Sequence, residues 1–245
     1  MPSRKFIGKG PNLYGKFLTG EAHWAEMSSE SDLNEIYGGG YLPYSGDTED
    51  PRDLFYMSRS LRVDMPLFSM RKSRRYDHRR WKAFALRREL LPKEEFLNKL
   101  GDQVTDLAYR WMEPRFGEAS LARNRFTYIL EKPFLRDVLT WWQGPDLSAF
   151  ALLVHGAWGA HYWYVFYKNG GSQAAAPGHG YLVDFLNWAR ERSLPFAYLG
   201  TTYGSKSRYK SRGLEGIEFW DGESWCSDRA RLNQLRVEDD HLPVN

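Results

Sequence analysis

The chain has 245 residues and a formal net charge of +3; 42% of its residues are hydrophobic and 16% are aromatic. This content can bury a full core, as one large or two modest domains, and excludes a chain that is disordered overall. The single Cys226 excludes an internal disulfide framework and a zinc site built from several cysteines. Because the first residues are polar and no apolar run of about eighteen residues occurs, we expect a cytoplasmic protein with no membrane partner.

Residues 1–75 form the first predicted unit. Glycine, proline, serine and aspartate are frequent there, and the apolar runs are short, as at residues 61–63 and 65–68. Such a composition favours a loop-rich, partly β structure. We therefore divide the chain into this smaller unit and a second domain over residues 76–245.

A dense basic run spans the junction between the two units. Its cations are Arg71, Lys72, Arg74, Arg75, Arg79, Arg80, Lys82, Arg87 and Arg88. Asp77 is the one acid among them, and Tyr76, His78 and Trp81 are interleaved. Clustered cations with aromatic rings between them are typical of a surface that binds a nucleic-acid backbone and stacks on bases. The alternative is a solvated helix whose arginines pair with Glu94 and Glu95.

Hydrophobic spacing and turn residues predict the remaining elements. In chain order these are a helix at 94–113, strands at 147–155 and 160–167 joined by a hairpin turn at 156–159, a glycine-rich loop at 170–180, a helix at about 180–192 and a strand at 195–200. Two hairpin strands, a helix and a further strand indicate an α+β fold.

The strand at 195–200 leads into a loop of glycine, hydroxyl, tyrosine and cationic residues, which suits an anionic ligand that bears a base. Lys206, Arg208, Lys210 and Arg212 recur at every second position. An extended backbone projects all four cations to one side, where they can bind phosphate. The alternative is a solvated, charged connection, the commoner fate of such runs.

Short motifs follow one another in an order that resembles a known family. They are Leu33-Asn34-Glu35, Gly39-Gly40-Tyr41, Arg62-Val63, Phe68, Lys72-Ser73, Arg75, a helix-like segment at 180–190, Leu194-Pro195, Tyr198-Leu199-Gly200, Gly204-Ser205-Lys206 and Tyr209-Lys210. The order is similar to that in the aminoacyl-tRNA:protein transferases, the arginyl and leucyl transferases of the N-degron pathway. The spacing is about one residue short in two places.

One feature of that family is missing. Its N-terminal half typically carries a cysteine cluster, linked in arginyl transferases to an iron–sulfur centre, before the arginine that corresponds to Arg62. Residues 45–58 contain no cysteine here, and a cluster held by thiolates needs about four. We therefore expect no cofactor.

The resemblance implies a GNAT-like second domain, a mixed sheet flanked by helices, beside the smaller loop-rich unit. It also implies an enzyme that joins the amino acid of a charged tRNA to an amine acceptor. That acceptor is a protein N-terminus, or a peptide or small amine in a biosynthetic pathway. Because the aminoacyl ester is already activated, direct attack by the amine suffices, and the enzyme aligns the substrates and stabilises the oxyanion.

The resemblance also assigns site residues. Tyr198, Gly200, Tyr203 and Ser205 line the acyl-acceptor junction, and Lys206 and Lys210 meet phosphates of the tRNA acceptor end. The remaining candidates for substrate binding are Arg208, Tyr209, Arg62, Arg71, Lys72, Arg74 and Arg75.

Three further residues are catalytic candidates. His155 and His161 are possible proton acceptors because neutral imidazole acts near pH 7, and with no carboxylate clustered near them in sequence they predict no metal site. Asp184 either holds the attacking ammonium or, as an acid near a helix start, favours the positive end of the helix dipole.

Two alternative functions remain open. Residues 175–180 supply both glycines of the loop that binds coenzyme A in GNAT enzymes, but Ala175 stands where a polar residue belongs. An acyl-CoA-dependent N-acyltransferase is therefore one alternative. A non-catalytic RNA-binding protein that keeps the basic surface is the other.

Overall fold

A computed structural model of the chain describes residues 3–11, 19–116, 119–168 and 177–242. Its strands are β1 (Arg4–Pro11), β2 (Thr19–Glu26), β3 (Tyr41–Pro43), β4 (Leu54–Met57), β5 (Ser60–Asp64), β6 (Arg87–Pro92), β7 (Asp137–Gln143), β8 (Asp146–Gly156), β9 (Gly159–Tyr167), β10 (Phe196–Thr201), β11 (Ile217–Trp220) and β12 (Trp225–Cys226). Its α-helices are α1 (Leu33–Gly38), α2 (Lys72–Lys82), α3 (Lys93–Phe116), α4 (Ala119–Glu131), α5 (Pro177–Glu191) and α6 (Arg229–His241). Short 3-10 helices span Glu30–Asp32, Met65–Leu67 and Ser205–Lys210. Within these ranges no helix is both long and apolar enough to span a bilayer.

Eight strands form the large sheet, in the order β12-β11-β5-β10-β9-β8-β7-β6. All neighbours are antiparallel except β9 and β10, which run parallel and are joined through α5. The mixed sheet flanked by helices confirms the predicted α+β fold. The hairpin, helix and further strand that the GNAT resemblance implies occur in that order as β8 and β9, α5 and β10.

Helices cover both faces of this sheet because side chains alternate along each strand. In β8, Ala151 and Leu153 join the core that contains Leu186 of α5. Phe150 and Leu152 point the other way, into the core formed with α3 and α4. The sheet is therefore buried on both sides, which explains why β8 reads as a nearly continuous apolar run.

A four-stranded sheet, in the order β1-β2-β4-β3, packs on the α3 and α4 side. With α1 it forms a core against Val154 of β8 and Tyr198 of β10. The strand β5 lies inside the expected N-terminal unit 1–75 in sequence, but pairs with β10 and β11 in the large sheet.

Most of the predicted second-domain elements are confirmed with small shifts at their ends. The helix expected at 94–113 spans Lys93–Phe116, and the strands expected at 147–155 and 160–167 span Asp146–Gly156 and Gly159–Tyr167. The predicted hairpin turn places Gly156 opposite Gly159. Most of the predicted glycine-rich loop at 170–180, namely residues 170–176, lies outside the described residues.

The parallel strands β9 and β10 pair over a very short distance. Their register joins Ala160 to Ala197 and His161 to Tyr198 and goes no further, although β9 continues to Tyr167. On its other side β10 has a bulge between Tyr198 and Thr201. Of the two residues between them, Gly200 has a φ of +78°, a conformation that favours glycine. The pairing of β9 with β10 therefore ends at Tyr198, whereas β10 stays paired with β5 as far as Thr201.

Candidate active site

The segment after β10, residues 205–212, is called here the 205–212 loop. The extended backbone expected there is wrong, because residues 205–210 form a 3-10 helix. Long-range acceptors fix its start: Asp239 accepts the N–H of Gly204 at 2.8 Å, and Asp240 accepts that of Ser205. The Ser207 hydroxyl closes the turn by donating to the Gly204 carbonyl at 2.8 Å.

The helical turn separates the four cations that the sequence places at alternate positions. Lys206, Arg208 and Arg212 are exposed, whereas Lys210 turns inward. Its Nζ donates to the Thr201 carbonyl at 2.8 Å, beside Gly200. Burial, and after it the charge of Arg236, lowers the pKa of the Lys210 ammonium to about 8. Lys210 therefore faces the end of β10 rather than the outer surface expected for a phosphate contact.

His161 lies on the neighbouring strand and is 1% exposed. Its Nδ1 is 2.9 Å from the hydroxyl of Tyr37, a residue of α1, and its Nε2 has no hydrogen-bond partner within the described part of the chain. Burial, and after it the charge of Lys210, lowers the pKa of the imidazole to about 3. The ring is therefore neutral at physiological pH.

The predicted tyrosines lie close to this position. Tyr198 is buried and packs on Tyr37, with ring centroids 4.9 Å apart, and burial raises the pKa of its phenol. The Tyr203 hydroxyl accepts the backbone N–H of Arg59 at 2.9 Å, and the Arg59 guanidinium lies 5.1 Å from the Tyr203 ring centroid. The contacts of Tyr198 with Tyr37 and of Tyr203 with Arg59 hold both rings in place beside the site.

Buried charged residues just before β5 and in α6 hold the 205–212 loop in place. Arg59 donates to Asp239 of α6 at 2.6 Å, and both side chains are almost fully buried. Arg236, one turn earlier in α6, donates to the hydroxyls of Thr202 and Ser211. Burial, and after it the charges of nearby arginines, lowers the pKa of Arg236 to about 10. The sequence argument missed these three residues, although Leu232, Arg236 and Asp239 have the spacing of a buried helix face.

The helix α2 is tied to the 205–212 loop by Arg74. Its guanidinium donates to the Tyr209 carbonyl at 2.7 Å and to the Arg212 carbonyl at 2.6 Å, and the residue is 4% exposed. Arg74 is thus occupied inside the protein. Its neighbours Lys72 and Arg75 are exposed. Together with Lys206, Arg208 and Arg212 they form what we call the basic surface.

Two other predicted phosphate-binding arginines are paired. Arg62 is buried between the rings of Phe196 and Trp225, about 4 Å from each centroid, and donates to Glu218 at 2.8 Å. Arg71 is exposed but pairs with Glu215. Arg62 therefore links β5 to β11 inside the sheet.

The start of α5 meets the same corner of the molecule. The ring of His179 stacks on Tyr209 of the loop at 5.3 Å. Gly180 lies so close to the Trp81 ring of α2 that a β-carbon there would overlap it. The loop, α2 and the start of α5 thus surround the place where β9 and β10 part.

The remaining candidates, His155 and Asp184, lie on the opposite face of the sheet. His155 contacts Asp137 at 2.8 Å and packs against Trp188 of α5. Asp184 accepts from Trp141 Nε1 at 2.8 Å and from Arg88 at 3.2 Å, beside a cleft of about 470 Å³ between α2 and α5. The structure therefore groups His161 with Tyr198, Gly200 and Lys210, and separates His155 and Asp184 from them.

No protein-family model and no curated protein matches the chain by sequence. Among solved structures, the chain is similar to the C-terminal domain of a putative lysylphosphatidylglycerol synthetase from Agrobacterium fabrum, with 16% identity and a TM-score of 0.44 over 63% of this chain and 51% of that one. It is also similar to L-PGS from Bacillus licheniformis, with 10% identity and a TM-score of 0.45 over 84% of this chain and 69% of that one. The chain thus spans about half of the first structure and about two thirds of the second.

Proposed function

We propose that the chain is an aminoacyl-tRNA-dependent aminoacyltransferase that joins the amino acid of a charged tRNA to an amine acceptor. One observation carries the proposal: the 205–212 loop presents cations outward and an ammonium inward at the same strand end. Lys206 and Arg208 face solvent, while Lys210 lies beside Gly200 and His161. The acceptor end of a charged tRNA matches this arrangement: its phosphates would meet the outward cations, and the reactive ester at its tip would meet Lys210.

The basic surface suits the acceptor end of a tRNA. Its five cations belong to α2 and to the loop, which Arg74 holds together. Tyr76 and Tyr209 are 54% and 40% exposed beside them, and exposed aromatic rings stack on unpaired bases. Phosphate contacts then position the strand, and stacking holds its terminal bases.

The interior suits ester aminolysis without an enzyme nucleophile. Cys226 lies in β12 at the far edge of the large sheet, separated from β10 by β11 and β5. The groups near Gly200 are the ammonium of Lys210 and the neutral imidazole of His161, which carry N–H donors. Such groups orient an ester carbonyl and stabilise the charge that develops on it.

The reaction is tested with tRNA charged with labelled amino acids. The acceptors offered are a peptide with a free N-terminus, a small primary amine and, as a hydroxyl-bearing alternative, phosphatidylglycerol vesicles. The proposal expects label in an acceptor in amounts that depend on protein and on intact tRNA. A thermal-shift measurement gives a second reading: tRNA should stabilise the fold, whereas stabilisation by acetyl-CoA alone would favour an acyl-CoA-dependent enzyme.

The basic surface is tested by charge reversal. Lys206→Glu combined with Arg208→Glu should weaken tRNA binding and flatten its dependence on salt, because fewer counterions are released. Arg110→Glu is the matched control, since Arg110 is an exposed cation of α3. Equal affinities for the two variants across a salt series would contradict this placement of the tRNA. Binding without transfer in every acceptor arm would indicate a non-catalytic RNA-binding protein.

A further inference from the structure

An unfilled point lies beside the α-carbon of Gly200. A β-carbon placed there would be 3.4 Å from Lys210 Nζ and 3.9 Å from His161 Nε2. Among the described residues, leaving out the chain neighbours of Gly200, these are the two heavy atoms within 4 Å of that point. Two nitrogen atoms from different elements therefore converge on a position that a glycine leaves open.

The imidazole offers a hydrogen at this point. Tyr37 is fully buried, and burial raises the pKa of its phenol well above the ordinary value, so the hydroxyl keeps its proton. Within the described chain, His161 Nδ1 is the partner of that hydroxyl, and we assign the hydroxyl as the donor because its buried hydrogen would otherwise have no acceptor there. With Nδ1 as acceptor, the ring hydrogen of the neutral imidazole lies on Nε2, which is buried and unpaired.

The ammonium also has donors to spare. Lys210 Nζ carries three hydrogens, and its bond to the Thr201 carbonyl occupies one of them. The surroundings add positive charge, because the charge of Arg236 acts on Lys210, and Asp239, which pairs with Arg59, is the one buried carboxylate that the described residues place beside these arginines. A negative charge that develops beside Gly200 is therefore stabilised both by hydrogen bonds and by its environment.

We propose that the oxyanion subsite of the transfer reaction lies beside Gly200, on the side of this point that faces Lys210 Nζ and His161 Nε2, with these two nitrogens as its donors. This inference rests on the proposed function, because it names the residues that act on the aminoacyl ester. It makes both side chains catalytic residues rather than phosphate contacts or proton acceptors. It also explains why a lysine of the signature turns inward.

The step balances without a cofactor. The acceptor nitrogen attacks the ester carbon and forms the new C–N bond, while the carbonyl π electrons move to the oxygen that lies between Lys210 and His161. Those electrons then re-form the C=O bond as the C–O bond to the ribose breaks. The attacking nitrogen loses a proton, and the departing ribose oxygen takes one up, so the products are an amide and an uncharged tRNA end.

The first test fills the subsite. Gly200→Ala places a methyl group against the position of the oxygen, so the single-turnover rate of transfer should fall about 100-fold or more, while the Kd for charged tRNA changes little. Gly144→Ala is the matched control: Gly144 also has a left-handed φ of +59°, and its added β-carbon meets no atom within 4 Å in the described chain. Thermal melts of the two variants separate loss of rate from loss of fold.

The second test removes the donors one at a time. Lys210→Met should lower the rate constant for transfer about 100-fold or more with charged-tRNA binding retained. His161→Gln, which keeps an N–H donor, should retain more activity than His161→Leu. Since these variants leave Gly200 unchanged, they decide the matter even if Gly200→Ala does not fold.

The third test uses pH. The groups beside the Lys210 ammonium are Arg236 of α6, which stays charged, and His161 of β9, which stays neutral. Because the Lys210 pKa is lowered to about 8, its positive charge is lost as the pH rises through that value. The wild-type rate should therefore fall on the alkaline side, and Lys210→Arg should remove that fall.

The results distinguish failure of the proposed function from failure of the subsite alone. If the wild type transfers no amino acid to any acceptor, the proposed function fails, and the subsite fails with it. If the wild type transfers, but Gly200→Ala matches Gly144→Ala or Lys210→Met reacts at the wild-type rate, the oxyanion subsite is wrong while the transferase remains. Loss of rate in both variants with tRNA binding intact supports the subsite.

Discussion

The ion pair between Arg59 and Asp239 connects α6 to the strand end that carries the candidate active site. Asp239 Oδ2 accepts from Arg59 at 2.6 Å and from the Gly204 N–H at 2.8 Å, and the two side chains are 3% and 2% exposed. In Asp239→Ala, the charge of Arg59 stays buried without this partner. The Gly204 N–H loses its acceptor as well, at the start of the 205–212 loop.

The expected loss of stability follows from this geometry. Breaking a buried ion pair by removing one partner costs about 3–5 kcal/mol of unfolding free energy, because the remaining charge is left uncompensated. For a chain of this size that loss lowers Tm by roughly 6–20 °C. The neighbouring Arg236 does not compensate the charge of Arg59 in this variant, since it is a second buried cation and offers no hydrogen-bond acceptor.

Urea unfolding of matched variants measures this loss. Glu238→Ala is the control, because Glu238 is an exposed acid one residue away in α6; we expect it to change the unfolding free energy by less than about 0.5 kcal/mol. Arg59→Met combined with Asp239→Leu should recover part of the loss, because no charge is then left unpaired. A loss below about 1 kcal/mol in Asp239→Ala, or strict additivity in the double variant, would refute the reasoning.

Three further predictions concern other parts of the chain. Arg74→Met removes charge-assisted hydrogen bonds to two loop carbonyls, so limited proteolysis should cut the 205–212 loop faster than in an Arg75→Met control; equal rates would contradict the tether. Gly40→Ala should cost about 1–3 kcal/mol in a thermal melt, because Gly40 has a φ of +78° and its β-carbon would overlap the Trp220 ring; an unchanged Tm would contradict that packing. Cys226→Ser should transfer at the wild-type rate, with or without an iron chelator; an inactive but folded variant would contradict direct aminolysis.

Regular elements of the second domain are predictable because local patterns determine them. Apolar residues at helical spacing after Pro92 indicate α3, and the glycines at 156 and 159 indicate the turn between β8 and β9. The place of β5 is not predictable in this way. Its partners, β10 and β11, come more than 130 residues later in the chain, and no local pattern connects them.

The candidate site shows the same division. The signature residues Tyr198, Gly200 and Lys210 can be located from the sequence, because glycine, tyrosine and lysine follow a buried strand. The conformation of the 205–212 loop cannot, since Arg74, Asp239 and Asp240 impose it from distant segments. The alternating cations alone predict an extended strand, whereas hydrogen bonds to these distant residues hold the segment in a 3-10 helix.

Donor choice is the most direct test of the central claim. The protein is incubated with a peptide acceptor, a mixture of aminoacyl-tRNAs labelled with ¹⁴C in the amino acid, and acetyl-CoA labelled with ³H, all in one reaction. The account predicts that ¹⁴C enters amide linkage in the acceptor, that ribonuclease pretreatment abolishes the transfer, and that ³H stays in acetyl-CoA. Transfer of ³H alone, or release of ¹⁴C amino acid no faster than in a protein-free control, would contradict it.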